Sequence, residues 1–203
     1  QQSADRLPLA SLCAVLLDFH YGDTEAVNKA FAEAAHVTRL DIVSNRVVVN
    51  AMEPRSAIGE YDAKAERWIL RVGCQGVMGM RAALARDVLN VTPDKVRVLT
   101  GNVGGSFGMK AQPYPEYGAL LLASKLLGRP VKWTDDRTES FLSDHHGRDH
   151  QRLAELALDK DGNFLAVRLT GTGNAGAYIN PPLQPTTNAV KNLIDVYRTP
   201  AME

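Results

Sequence analysis

The chain has 203 residues, with 23 Lys and Arg against 23 Asp and Glu, so its formal charge is zero. That length supports one or two domains with a real core. The even charge balance argues against a nucleic-acid track, a polybasic membrane patch or an acidic tail.

Cys13 and Cys74 fit no zinc or iron–sulfur spacing and supply no disulfide framework, which points to a cytoplasmic protein. No internal repeat or low-complexity tract is visible. Residues 1–17 form a lead-in without an assignment. Within it, Leu7 to Leu17 is moderately apolar but lacks a basic flank and a small-residue cleavage site, and it is too short to span a bilayer; periodicity does not arbitrate its Leu9–Leu17 part. A short helix and a buried strand fit it equally.

Asp23 or Thr24 is placed to cap a helix through about Ala35, with Val27, Ala30, Phe31 and Ala34 on one face. Thr38 to Met52 then reads as a hairpin about Ser44-Asn45, from Leu40, Ile42, Val47 and Val49. Glu53 and Arg55, two residues apart, would share one side of a strand. The ordinary reading is a surface ion pair contributing less than about 1 kcal/mol.

Tyr61 to Arg67 turns into a strand over Trp68–Val72, which delivers Gly73-Cys74-Gln75-Gly76 to a helix carrying Val77, Met80, Leu84 and Val88. A polar residue between glycines at a helix start suits a ligand platform, where free N–H groups gather. Gln75 is either a helix cap or a ligand contact. Alternation sends Cys74 the other way, as a buried and inert thiol.

Thr92-Pro93-Asp94 turns into the strand Lys95 to Leu99, which runs straight into Thr100 to Lys110, where four glycines fall within eight residues. Such a stretch admits positive φ and lets a ligand approach bare backbone; successive N–H groups can converge on an anion or oxo group. A Walker loop would need Gly-Lys followed by Ser or Thr, and Met109 and Ala111 break that pattern. The glycine spacing, with Pro113 and Pro115 delaying the next helix, does not suit a dinucleotide fingerprint either. From Pro115 the face Tyr117, Leu120, Leu121, Ser124 and Leu127 predicts a helix ended by Gly128 and Pro130.

Val131 to Trp133 is a short strand. Asp144 to His150 then gathers three histidines and two carboxylates, metal-like by composition. Gly147 interrupts any helical ligand pair there, which counts against a metal. Gln151 to Leu158 and Leu165 to Gly173 alternate as strands joined at Asp159–Asn163 through Asp-Gly. Residues 180–187 form a proline-rich loop, and Val190, Leu193 and Ile194 suggest a short helix.

Several of these stretches carry a resemblance. Gly104-Gly105-Ser106-Phe107-Gly108-Met109-Lys110 resembles the G-G-x-F-G-x-K loop of the molybdenum hydroxylases, the family of xanthine dehydrogenase, aldehyde oxidase and carbon monoxide dehydrogenase. Asn50 to Ala57 is similar to that family's N-x-M-E-P-R-x-A, Gln75 to the glutamine of S-x-Q-x-x-H/G, Asp135 to Phe141 to its D/S-R-x-E-x-F/L stretch, and Gly171 to Tyr178 to G-x-x-G-A-Y. With Asp18 to Asp23 they follow the family order over residues 18–203.

The resemblance implies an α+β fold of mixed sheets with packed helices, residues 18–203 being part of the first molybdopterin-binding domain, with the second cofactor domain absent. It implies cofactor contacts at Gln75, Gly76, Gly104, Gly105, Phe107 and Gly108: the amide of Gln75 bonds an oxo ligand of molybdenum, and Phe107 walls the pocket. No direct metal ligand and no catalytic residue fall in this stretch, the general-base glutamate being expected downstream. The chain would thus be a portion of a longer subunit, without turnover alone.

The implied cofactor is molybdenum–molybdopterin, in its cytosine dinucleotide form, with iron–sulfur and FAD groups on small and medium partner subunits. Ala111 stands where purine-oxidising members have a glutamate, which points toward carbon monoxide, aldehydes or N-heterocycles and places the chain closest to the carbon monoxide dehydrogenase branch. The rival from another class is a non-catalytic binding or assembly module of the same fold that carries no molybdenum; metal analysis separates the two.

Overall fold

The computed structural model describes residues 17–176 and 196–203. The proline-rich loop, the short helix expected near Leu193, Tyr178 and all of the Leu9–Leu17 run except Leu17 lie outside them. The chain forms two compact units, one from residues up to 45 together with those from 148 onward, the other from residues 46–147. Both mix sheets and helices, so the fold is α+β. Among the described residues no helix is long and apolar enough to cross a membrane.

In the first unit, α1 (Thr24–Glu33) opens at Asp23, whose carboxylate accepts from the Ala26 N–H at 3.0 Å. Val27 is fully buried, and Ala26, Ala30, Phe31 and Ala34 pack with it against Ala157, Ala166 and Ala201. The alanines let helix and sheet approach closely. The sheet runs β1 (His36–Ser44), β8 (His150–Leu158), β9 (Phe164–Gly173) and β10 (Ala201–Met202), antiparallel except for the last pair. The expected β8–β9 hairpin forms; the Asp159 carboxylate closes its turn by accepting from Asp161 N–H, Asn163 N–H and the Asn163 amide, each at 2.8 Å.

The hairpin expected over Thr38 to Met52 does not form. β1 pairs along its whole length with β8, from His36 opposite Leu158 to Ser44 opposite His150, while β2 (Val47–Val48) pairs with β7 (His146–Gly147). A tight hairpin turn needs positive φ at its centre, and neither Ser44 nor Asn45 has it. The chain leaves one unit for the other there.

The second unit is built on the sheet β5-β4-β3-β6: β3 (Ser56–Asp62) lies between antiparallel β4 (Arg67–Val72) and β6 (Val131–Thr134), and β5 (Val96–Leu99) lies parallel to β4. The β4–β5 crossover contains α2 (Val77–Ala83), which widens into a π-helical turn over Leu84–Leu89. Met80 and Leu84 are buried as expected, and Val88, on the π turn, is exposed.

α3 (Pro115–Leu127) buries Tyr117, Leu120, Leu121 and Ser124, and Gly128 caps it in the left-handed conformation. Leu127, expected on the same face, is 58% exposed. At 100° per residue it falls outside the arc that the other four span. Tyr117, Leu120 and Leu121, with Leu70, Val72, Val96, Val98 and Met109, belong to the larger core. α4 (Arg137–Ser143) is held at its start by a capping box between Asp136 and Glu139.

Candidate functional site

β4 ends at Val72, and the next residues alternate as expected: Cys74 turns into the core and Gln75 is exposed. Gln75 is anchored at both ends. Its backbone N–H donates to the Lys110 carbonyl at 3.1 Å, and its side-chain Oε1 accepts from the Gly108 N–H at 2.8 Å and the Ser106 hydroxyl at 2.7 Å. Because a backbone N–H can only donate, the atom facing Gly108 is the oxygen, and the amide NH₂ is the free end. It has no hydrogen-bond partner among the described residues. Gln75 does not cap α2; Gly76 takes that position, without a side-chain bond.

The glycine-rich loop bends through Gly105 (φ +100°), Phe107 (φ +50°) and Gly108 (φ +93°). A bulky residue at positive φ is strained by about 1–3 kcal/mol and has to be held by its surroundings. Phe107 is also 80% exposed, so burial does not offset that strain. The amides of Gly108, Met109, Lys110 and Ala111 are bonded within the loop and to Gln75. Those of Gly105, Ser106 and Phe107 have no partner among the described residues. Three successive N–H groups are thus unpaired among the described residues, in the same loop whose Ser106 hydroxyl and Gly108 N–H hold the Gln75 carbonyl.

Gly104 lies against Glu53, in the connection before β3. A Cβ on Gly104 would stand 2.6 Å from the Glu53 Cβ, closer than packing allows. Glu53 N–H donates to the Gly104 carbonyl and Gly104 N–H to Glu53 Oε2, each at 3.0 Å. The buried Lys110 ammonium donates to Glu53 Oε2 at 2.7 Å and to the Glu53 carbonyl at 2.9 Å. Hydrogen bonding from Lys110 holds the Glu53 carboxyl below the usual glutamate range.

Arg55 departs from the expected surface pair with Glu53. The chain between Ala51 and Arg55 bends instead of running as a strand, so period-two alternation does not apply. Arg55 is 1% exposed. It donates to Asp144 at 2.6 Å, to both oxygens of Glu116 at 3.1 and 3.2 Å and to Ser143 at 2.8 Å, and its guanidinium lies 3.7 Å from the Tyr114 ring centre. Tyr114 in turn donates its hydroxyl to the Met109 carbonyl, at the foot of the glycine loop, and stacks on His145. Asp144 and His145 of the metal-like cluster are therefore structural, and no group of three His, Cys, Asp or Glu among the described residues could hold a metal.

Gln75, Gly76, Gly104, Gly105, Phe107 and Gly108 are thus brought to one exposed rim. A cavity of about 450 Å³ nearby is lined by Glu53, Arg71, Gly73 and Asn102, among others, and by neither Gln75 nor Phe107. The donors unpaired among the described residues lie on the rim and not in that cavity's lining. Sequence reasoning assigned no role to Lys110 and undervalued Arg55. A charged residue set among glycine, proline and aromatic neighbours was the only available sign of either.

The family of molybdopterin cofactor-binding domains matches residues 10–203. The chain belongs to this family. It is 34% identical over 184 residues to the 6-hydroxypseudooxynicotine dehydrogenase complex subunit gamma of Paenarthrobacter nicotinovorans, covering 90% of the chain and 22% of that relative. The carbon monoxide dehydrogenase large chain of Hydrogenophaga pseudoflava is 29% identical over 157 residues, 77% of the chain and 19% of the relative. The crystal structure of quinoline 2-oxidoreductase from Pseudomonas putida 86 superposes with a TM-score of 0.74 at 33% identity, over 87% of the chain and 23% of that structure. The chain spans about a fifth of the length of these relatives. The matches bear out the molybdenum hydroxylase resemblance and its α+β fold.

The rim of this molybdopterin-binding domain suits such a group in two respects. Its unpaired donors, three backbone N–H groups and one amide, complement oxygen-rich ligands. Bare backbone at Gly76 and Gly108, where a Cβ would meet nothing within 4 Å, leaves room for close approach, whereas the space at Gly104 is filled by Glu53 and that at Gly105 by Phe107 and Ala51, contrary to the expectation that they face a ligand.

Proposed function

We propose that the chain is part of the molybdenum-cofactor-binding subunit of an oxidoreductase that oxidises carbon monoxide, an aldehyde or an N-heterocycle with oxygen derived from water. One observation carries this reading: the Gln75 carbonyl is tied down by Gly108 and Ser106 of the glycine loop, which leaves its NH₂ as a fixed donor without a partner among the described residues. When bound, molybdopterin in its cytosine dinucleotide form supplies the two-electron redox chemistry. Gln75 donates to it and fixes its orientation; Gly76 and Gly108, open where a Cβ would stand, admit it to the backbone; Gly105 offers an unpaired N–H; Phe107 covers one side and excludes water.

Residues 18–203 belong to the first cofactor-binding domain, and the rest of the subunit supplies the general base. Electrons leave through an iron–sulfur small subunit and an FAD-bearing medium subunit, in the cytoplasm. Ala111 has only a methyl group to offer, which disfavours purine recognition. Likeness to a quinoline oxidoreductase favours the N-heterocycle among the three substrate classes.

In the intact enzyme, Gln75→Ala is expected to lower turnover with little effect on the folded state. Unchanged kinetics would remove Gln75 from the site.

A further inference from the structure

We infer that Glu53 and Lys110 are positioning residues, an ion-paired latch that sets the shape of the glycine loop and thereby the placement of Gln75. Neither belongs to the rim of free donors. Their effect on turnover rests on the cofactor reading above, whereas their effect on the loop does not.

Three features show that the region is built around this pair. Lys110 is 1% exposed, and among the described residues its ammonium donates only to Glu53, at Oε2 and at the main-chain carbonyl. A buried ammonium is costly unless it is paired, and a methionine would fill the same space without that cost. The charge is used instead to bind two atoms of one residue.

Glu53 in turn grips Gly104 through both its N–H and its carbonyl. Two glycines clear space for it: a Cβ on Gly104 would meet the Glu53 Cβ at 2.6 Å, and one on Gly73 would meet Oε2 at 3.3 Å.

The latch also continues into the site without a break. The Lys110 carbonyl receives the Gln75 N–H, and the Lys110 N–H donates to the Ser106 hydroxyl at 3.2 Å; that hydroxyl donates to Gln75 Oε1 at 2.7 Å. Displacing Lys110 would loosen Gln75 at its backbone, through the Lys110 carbonyl, and at its side chain, through the Ser106 hydroxyl, leaving the Gly108 N–H as its remaining anchor. Gly104, at the start of the loop, would be released as Glu53 loses its cation.

The test compares Lys110→Met, Glu53→Gln and the double variant in the intact enzyme. It reads hydrogen exchange of the segment 100–112, thermal midpoint, molybdenum content, kcat and KM. Lys110→Met is expected to speed exchange at Gly104 and Gly108 and to lower kcat about 10–100-fold, the usual cost of losing an outer-shell partner, with KM little changed. Glu53→Gln should lower the thermal midpoint, because it strands a buried ammonium. The double variant removes the stranded charge, so its midpoint recovers toward wild type while kcat and exchange stay perturbed.

A double variant with wild-type exchange and kcat would overturn the proposal, leaving the pair a structural one only. Should Lys110→Met not fold, Glu53→Gln, whose side chain is 39% exposed, gives the exchange readout on its own. Wild-type enzyme without molybdenum would sink the cofactor reading, and loop exchange would still decide the latch.

Discussion

Arg55→Met is expected to cost about 3–5 kcal/mol of folding stability at neutral pH, the penalty for breaking a buried pair from one side. Asp144 and Asp135 beside Arg55 have side chains that are 0% and 1% exposed. Among the described residues Arg55 is the one side-chain hydrogen-bond partner of Asp144, and Asp135 keeps only Ser140. For a chain of this size the loss corresponds to a fall of about 6–20 °C in thermal midpoint.

The pH dependence has a definite sign. Burial already raises the Asp144 pKa, and Arg55 is the main opposing influence. Without Arg55 the carboxyl rises further above its unfolded value, so stability is retained below that unfolded value and lost as pH rises through the folded one. The gap between variant and wild type should therefore be widest near pH 7 and narrow as pH falls toward about 4. Urea unfolding at the two pH values measures it. A loss below about 1 kcal/mol at both would refute the buried network and return Arg55 to the exposed ion pair that its sequence spacing suggests.

Gly104→Ala should destabilise by about 1–3 kcal/mol, as overpacking does, whereas Gly79→Ala, in α2 with open space around its Cβ, should stabilise by up to about 1 kcal/mol; paired urea melts check both. Phe107→Gly should raise the thermal midpoint by relieving the positive φ while lowering turnover of the intact enzyme, a stability–activity trade at one residue. The Glu53 carboxyl is held below its ordinary value of 4.5, so its contribution is present above that value and lost as pH falls through the folded pKa. The protection factor at Gly104, measured against the intrinsic exchange rate at each pH, should fall on acidification, and Glu53→Gln should abolish that dependence.

What the sequence disclosed and what it hid follow from the range of the interactions. The Asp23 cap, the Asp159 turn, the Gly128 stop and the inward turn of Cys74 are settled within a few residues, and all are as expected. Strand β1 looked like half of a hairpin because its true partner, β8, lies more than a hundred residues away. Arg55 looked like a surface residue for the same reason: Glu116, Asp135 and Asp144 are distant in sequence. The meeting of Gln75 with the glycine loop came from family resemblance, since spacing alone left Gln75 as a possible helix cap. The structure supplies the geometry, through one carbonyl and the N–H that follows Phe107 in the chain.

The central claim, that the Gln75 amide is a fixed donor to a bound cofactor, is tested most directly by Gln75→Glu in the intact enzyme. Glutamate can still accept from Gly108 and Ser106, so the loop keeps its anchor while the NH₂ donor is replaced by an anionic acceptor oxygen. At equal molybdenum content and equal thermal midpoint, kcat should fall about 10²–10³-fold, as when a preorganised donor is removed. An unchanged kcat under those conditions would contradict the claim.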